Sequence, residues 1–191
     1  DTNRADWASL TVYTEDPDDA PAGNADYRAI TIAHDATNLF LRTTTWSDSP
    51  DFGTESWRYN IFIDSDQARG TGFRGGSDQF SIGADRLIQG ASLYQYTGTG
   101  LDWSWSFLGS LSFDNQFTGG ANDTEMSLAQ SLLGLATNRF DWIAYGESTP
   151  DFVPDGGGDG AAGTFHTYVI PEPGTAFLFV AGLGALALRR R

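Results

Sequence analysis

The sequence predicts an all-β protein: an antiparallel two-sheet β-sandwich of jelly-roll type, followed by a short C-terminal transmembrane helix. Three observations carry this. Short segments of alternating apolar and polar residues recur between Trp7 and Val169, each bounded by Gly, Pro, Asn or Asp clusters, which is the pattern of strands that bury one face and wet the other. The 191 residues are 40% hydrophobic and 14% aromatic, enough for one core, and they show no repeat and no domain-sized linker. The last 23 residues then change character altogether.

Taken in order, strands are expected at 8–13, 27–33, 38–46, 57–63, 79–82, 85–89, 93–96, 103–108, 125–128, 140–145 and 165–169. Eleven short strands divide between two packed sheets. The single helical spacing is Leu128, Leu132 and Leu135, and Gly134 limits it to about two turns. The Gly-rich run 155–160 reads as a flexible loop leading to the last strand.

Charge divides the chain in the same place. Residues 1–168 hold 24 acids and 8 arginines, a net −16, and residues 169–191 hold one acid and three arginines. The chain therefore reads as an acidic body, 1–168, and a basic-ended tail, 169–191. Phosphate-mediated nucleic-acid binding has the wrong sign of field in such a body. With no Cys, a disulfide framework, a thiolate zinc site and a Cys nucleophile are excluded.

The tail has three zones. Pro171 and Pro173 hold their stretch extended, and an extended segment is what a protease cleft can grip. An uncharged stretch, 176–188, follows. From Gly174 to Leu188 a helix would span about 22 Å, short of the roughly 30 Å hydrocarbon core. Arg189, Arg190 and Arg191 then act as a stop that favours the cytoplasmic side. This order, Pro171-Glu172-Pro173-Gly174, apolar segment, arginine cluster, resembles the PEP-CTERM sorting signal of Gram-negative bacteria. The resemblance implies export, a transient stay in the inner membrane, processing near the Pro-Glu-Pro motif by an exosortase, and arrival at the cell surface, outer envelope or extracellular matrix, usually where extracellular polysaccharide is made. It also implies an apolar export leader. None precedes the body from Asp1 onward, so a signal peptide already removed or a fragmentary start is expected.

The body has a resemblance of its own. Asp6-Trp7-Ala8, Asp26 before a strand, Asn38-Leu39-Phe40-Leu41-Arg42, Tyr59-Asn60-Ile61-Phe62-Ile63-Asp64-Ser65-Asp66 with Thr71-Gly72, Gly83-Ala84-Asp85-Arg86-Leu87-Ile88, Leu93-Tyr94-Gln95-Tyr96 and Trp103-Ser104-Trp105 span most of residues 6–145. Together they resemble the sandwich domains related to family-nine carbohydrate-binding modules and DOMON-like domains. That resemblance implies a jelly-roll-like sandwich, structural calcium in some members and sugar binding in some.

Two constellations bear on chemistry. In the turn from Asp64 to Gly72, carboxylates at i and i+2 suit the six to eight oxygens that Ca²⁺ takes, and Asp78 and Asp85 complete the set if the next strand folds back. It is not an EF-hand, because Ala68 and Gly75 stand where ligands are required. The same residues also read as a solvated turn in an Asp-rich chain, and the run 15–19 reads as a weaker cation candidate or, first, as a solubilising loop.

The second constellation is aromatic. Tyr94 and Tyr96 share one face of a strand, and Trp103 and Trp105 share one face of the next. Exposed, these rings would stack on sugars, with Asp102 or Gln95 meeting hydroxyls; turned inward, they would fill the core between the sheets. Trp46 and Trp57 are the second candidates for an exposed platform.

Catalytic signals are weak. His34 and His166 are the only histidines, no Gly-x-Ser-x-Gly elbow occurs, and no carboxylate pair stands out. The expectation is a non-catalytic, exported carbohydrate-binding sandwich with Ca²⁺ as a structural ion. A self-associating surface protein without a glycan ligand is the alternative, and a glycan-acting hydrolase the third. A body at −16 repels anionic polymers unless divalent ions bridge the two, which favours calcium-dependent association with matrix polysaccharide.

Overall fold

In the computed structural model, which describes residues 3–75, 82–147, 151–154 and 165–171, twelve strands are seen. They are β1 (Val12–Glu15), β2 (Tyr27–His34), β3 (Asn38–Thr45), β4 (Tyr59–Asp64), β5 (Arg86–Gln89), β6 (Ser92–Tyr96), β7 (Trp105–Ser110), β8 (Ser112–Thr118), β9 (Ala121–Ala129), β10 (Arg139–Gly146), β11 (Asp151–Val153) and β12 (His166–Val169). A one-turn helix, α1 (Phe52–Glu55), interrupts the segment between β3 and β4. The first sheet runs β1-β2-β3-β9-β8 and the second β11-β10-β4-β5-β6-β7, with β12 sharing the β10 edge beside β11. Every pairing is antiparallel.

The alternation of β3 is the simplest case of sequence making structure. Leu39, Leu41, Thr43 and Thr45 are buried between the sheets, and Phe40, Arg42 and Thr44 face outward. Against them lie Ile30 and Ile32 of β2, Met126 and Leu128 of β9, Ile61 and Ile63 of β4, and Phe140 and Trp142 of β10. The β2–β3 turn is set by Asp35, whose carboxylate accepts the backbone N–H groups of Thr37 at 2.7 Å and Asn38 at 2.6 Å. Those donors hold its carboxyl down at about 2.

At β4 the second sheet is buried on both faces. All six residues of β4 are buried, because Phe62, Leu87 and Ile143 on its outer side pack under Phe73, Ile82 and Ala84 of the excursion between β4 and β5. This second apolar layer explains why β4 reads as a continuous apolar run.

Two expectations are corrected, and two strands are added. Residues 8–11 are the exit of a 3-10 turn at Arg4–Trp7, so β1 begins only at Val12. Leu128 belongs to a strand: β9 continues to Ala129, a single 3-10 turn follows at Gln130–Leu133, and Gly134 closes it in the left-handed region at φ 65°. β8 and β11 were not anticipated. β8 is an edge strand whose two phenylalanines, Phe113 and Phe117, are four residues apart around polar Asn115, and β11 has only three residues.

Packing continues through Tyr168 and Ile170, and Pro171 is exposed. No helix among the described residues is long and apolar enough to cross a membrane. The expected helix at 176–188 lies outside the described residues, as do Glu172, Pro173, Gly174, Arg189, Arg190 and Arg191, the loop 155–160 and most of the expected strand 79–82.

Candidate functional site

The acidic turn after β4 is drawn together by its own hydrogen bonds. Asp64 Oδ1 accepts the N–H of Gln67 at 2.6 Å, and Asp66 Oδ1 accepts that of Ala68 at 2.8 Å. Asp85 folds back, its Oδ2 accepting from the Ser65 N–H at 3.0 Å and hydroxyl at 2.9 Å. Asp64, Asp66 and Asp85 each then offer a carboxylate oxygen within 4.8 Å of the others. Asp64 is fully buried, and its Oδ2 meets no hydrogen-bond donor. Burial pushes its carboxyl up to about 7, with the Asp66 and Asp85 carboxylates adding to the rise. Asp78, the fourth expected ligand, lies outside the described residues.

Tyr94, Tyr96, Trp103 and Trp105 meet on the outer face of the second sheet. Ring centroids of Tyr96 and Trp105 are 5.0 Å apart, and those of Trp103 and Trp105 are 5.8 Å apart. Phe73 reaches across to them, 5.3 Å from Trp103 and 5.4 Å from Trp105. The rings thus neither fill the space between the sheets nor all face water: they border the second apolar layer, and Trp103 alone of the four stays more than half exposed, at 53%. Asp102 is engaged in its own turn, accepting from Thr99 N–H at 2.8 Å and Thr99 Oγ1 at 2.9 Å, while Gln95 is exposed.

A larger concavity lies on the opposite side of the sandwich, and sequence reasoning missed it. The outward faces of all five strands of the first sheet form a trough of about 930 Å³. Thr31, Arg42, Thr44, Gln116 and Asp123 line its floor, and Trp46 and Arg28 line it at the β1–β2 side. Arg42 grips Asp123 in a two-pronged pair at 2.8 Å for both contacts. The Arg28 guanidinium carbon lies 5.0 Å from the Trp46 ring centroid. Trp46 Nε1–H donates to the Asp16 carbonyl at 3.0 Å, which fixes the indole.

The outward polar positions of β2 and β3 were legible as a wet face. That β9 and β8, some eighty residues later, extend this face into a trough was not. Trp57, the other candidate ring, is 48% exposed, with the Arg58 guanidinium carbon 4.8 Å from its centroid.

Behind Trp46, Asp16 departs from the solubilising loop expected of the run 15–19, whose Pro17, Asp18 and Asp19 are exposed. Asp16 is buried and joins Asp26 and Asp151, the three carboxylates lying within 4.8 Å of one another. Burial, then the Asp151 carboxylate, pushes the Asp26 carboxyl up to about 7.

The histidines have structural surroundings. His34 Nδ1 lies 2.7 Å from the Tyr168 hydroxyl, and His166 packs on Trp142 with centroids 5.1 Å apart. Burial holds His166 below the usual imidazole value, which favours the neutral ring. No family model matches the chain, and no curated protein matches it.

Proposed function

We propose that this is an exported, non-catalytic carbohydrate-binding sandwich of a Gram-negative bacterium. It is sorted through the PEP-CTERM tail at 169–191 to the cell surface or extracellular matrix. The observation that carries the glycan reading is the trough on the first sheet. An aromatic ring beside a floor of hydroxyl, amide and paired charged groups is the equipment for a sugar chain, whose rings offer apolar faces and whose hydroxyls both donate and accept. Trp46 would stack, and Thr31, Thr44, Gln116 and the Arg42–Asp123 pair would meet hydroxyls. Tyr94, Tyr96, Trp103 and Trp105 form a second, smaller candidate surface on the other side, where Trp103 offers the accessible ring. A Ca²⁺ ion held by Asp64, Asp66 and Asp85 would act structurally, pinning the excursion that covers the second sheet.

The test is retention of the purified body on immobilised polysaccharides, neutral and anionic, with and without chelator. Retention that drops at least tenfold in Trp46→Ala supports the trough, and a drop confined to Trp103→Ala moves the site to the aromatic hairpin. No retention on any glycan overturns the reading.

One observation favours a second reading. β7 and β8, the edge strands of the two sheets, expose Phe107 at 57%, Phe113 at 50% and Phe117 at 45%. An apolar edge of this kind suits pairing with another copy of the chain. Sedimentation that shows concentration-dependent assembly without glycan affinity would favour a self-associating surface protein.

A further inference from the structure

We propose that Asp16, Asp26 and Asp151 form a second divalent-cation site, of the calcium class, that clasps the two sheets together behind Trp46. The three carboxylates are 4%, 0% and 3% exposed. Asp26 Oδ2 accepts the Ala20 N–H at 3.1 Å and Asp151 Oδ2 accepts the Tyr27 N–H at 2.8 Å. Asp26 Oδ1 is buried and meets no hydrogen-bond donor. A buried carboxylate oxygen with no donor is costly unless a cation or a proton neutralises it.

Geometry and donor chemistry select the cation. Each residue presents an oxygen within 4.8 Å of the other two. Two ligands on one ion at the Ca²⁺–oxygen distance of about 2.4 Å lie at most about 4.8 Å apart, a limit that all three pairs meet. The all-oxygen donor set suits a hard cation and disfavours zinc. Mg²⁺ demands shorter contacts of about 2.0–2.1 Å in near-ideal octahedral geometry, which makes Ca²⁺ the better fit.

The placement gives the ion a purpose. Asp16 follows β1 and Asp26 precedes β2, both in the first sheet, and Asp151 opens β11 at the far edge of the second. An ion there closes the loop 17–25 and joins segments 125 residues apart in the chain, the circumstance in which a metal clip is expected to stabilise most. It also fixes the segment whose Asp16 carbonyl holds the Trp46 indole. The site does not depend on the glycan reading.

The experiment is native mass spectrometry and calorimetric titration of the full chain with CaCl₂ after chelation. The wild type is expected to take two ions, Asp26→Asn and Asp151→Asn one each, and Asp64→Asn one. The melting temperature gained with calcium should fall by about half in each variant. A wild-type calcium count retained by Asp26→Asn or Asp151→Asn overturns the proposal, as does a wild type that binds no calcium, which would leave a shared proton as the neutralising species. Should the first two variants not fold, Asp64→Asn decides: one ion retained supports the second site, and none overturns it.

Discussion

Asn122 shows how much of the interior rests on single polar side chains. It is buried in β9, donates through Nδ2 to the Pro50 carbonyl at 2.7 Å and the Tyr59 hydroxyl at 3.0 Å, and accepts the Phe52 N–H at 2.7 Å through Oδ1. Replacing it by Ala strands the buried Phe52 N–H and leaves the Pro50 carbonyl to the Tyr59 hydroxyl alone. Asn122→Ala should therefore lose about 2–4 kcal/mol in urea unfolding, whereas an exposed position such as Ser106 should tolerate Ala within about 0.5 kcal/mol.

Asp26 gives the pH dependence. In chelated protein its carboxyl sits near 7 when folded and near 3.8 when unfolded, so the folded state holds the extra proton between those values. Its contribution to stability then falls as pH rises from about 4 to about 7 and is fully unfavourable above. Wild-type stability relative to Asp26→Asn should fall from pH 5 to pH 8, as read from urea midpoints. No change in that difference would show that Asp26 titrates normally. At this scale the sequence named Asp64, Asp66 and Asp85 correctly as neighbours, because strand and turn placed two of them locally. It could not name Asp16, Asp26 and Asp151 as a group: their meeting depends on β11 lying beside the β1–β2 crossing, which no local pattern encodes.

Among elements, the β8–β9 hairpin depends most on backbone conformation. Gly120 takes φ +84°, a region costly for residues with a Cβ, and a Cβ there would run into the Ser47 carbonyl. Gly120→Ala should cost about 2 kcal/mol or more in thermal or urea unfolding, whereas Gly119→Ala, with open space around it, pays only for its φ of +62°. Equal losses in the two variants would rule out the contact with Ser47. The same hairpin shows where elements could and could not be read. β2, β3, β4 and β10 announce themselves through alternating or continuous apolar runs. β8 does not, since its inward residues Phe113, Asn115 and Phe117 overhang a sheet edge and its outward Asp114 pairs with Arg4 at 2.8 Å. The i, i+4, i+7 leucines misled for a related reason: Leu128 reaches the core from a strand, Leu132 stands exposed on the 3-10 turn and Leu135 packs against the core after it, and periodicity alone cannot distinguish that from a helix.

At the scale of the whole molecule, the two halves of the proposal separate cleanly. Sorting is proposed for the tail, and mass spectrometry of the surface fraction should show a chain ending near Pro171–Pro173; an intact Arg191 there would refute processing. Binding is proposed for the body, whose charge of −16 makes divalent ions the natural mediators of contact with an anionic matrix. What the sequence determined by itself is the class of architecture and the charge asymmetry between residues 1–168 and 169–191, because strand alternation, turn residues and charge are local properties that survive in one dimension. The tertiary structure alone decided the two candidate sites. The trough requires β3 beside β9, and the buried carboxylate triad requires β11 across from β2. Both arise from long-range strand order, which brings together residues that are ordinary in isolation.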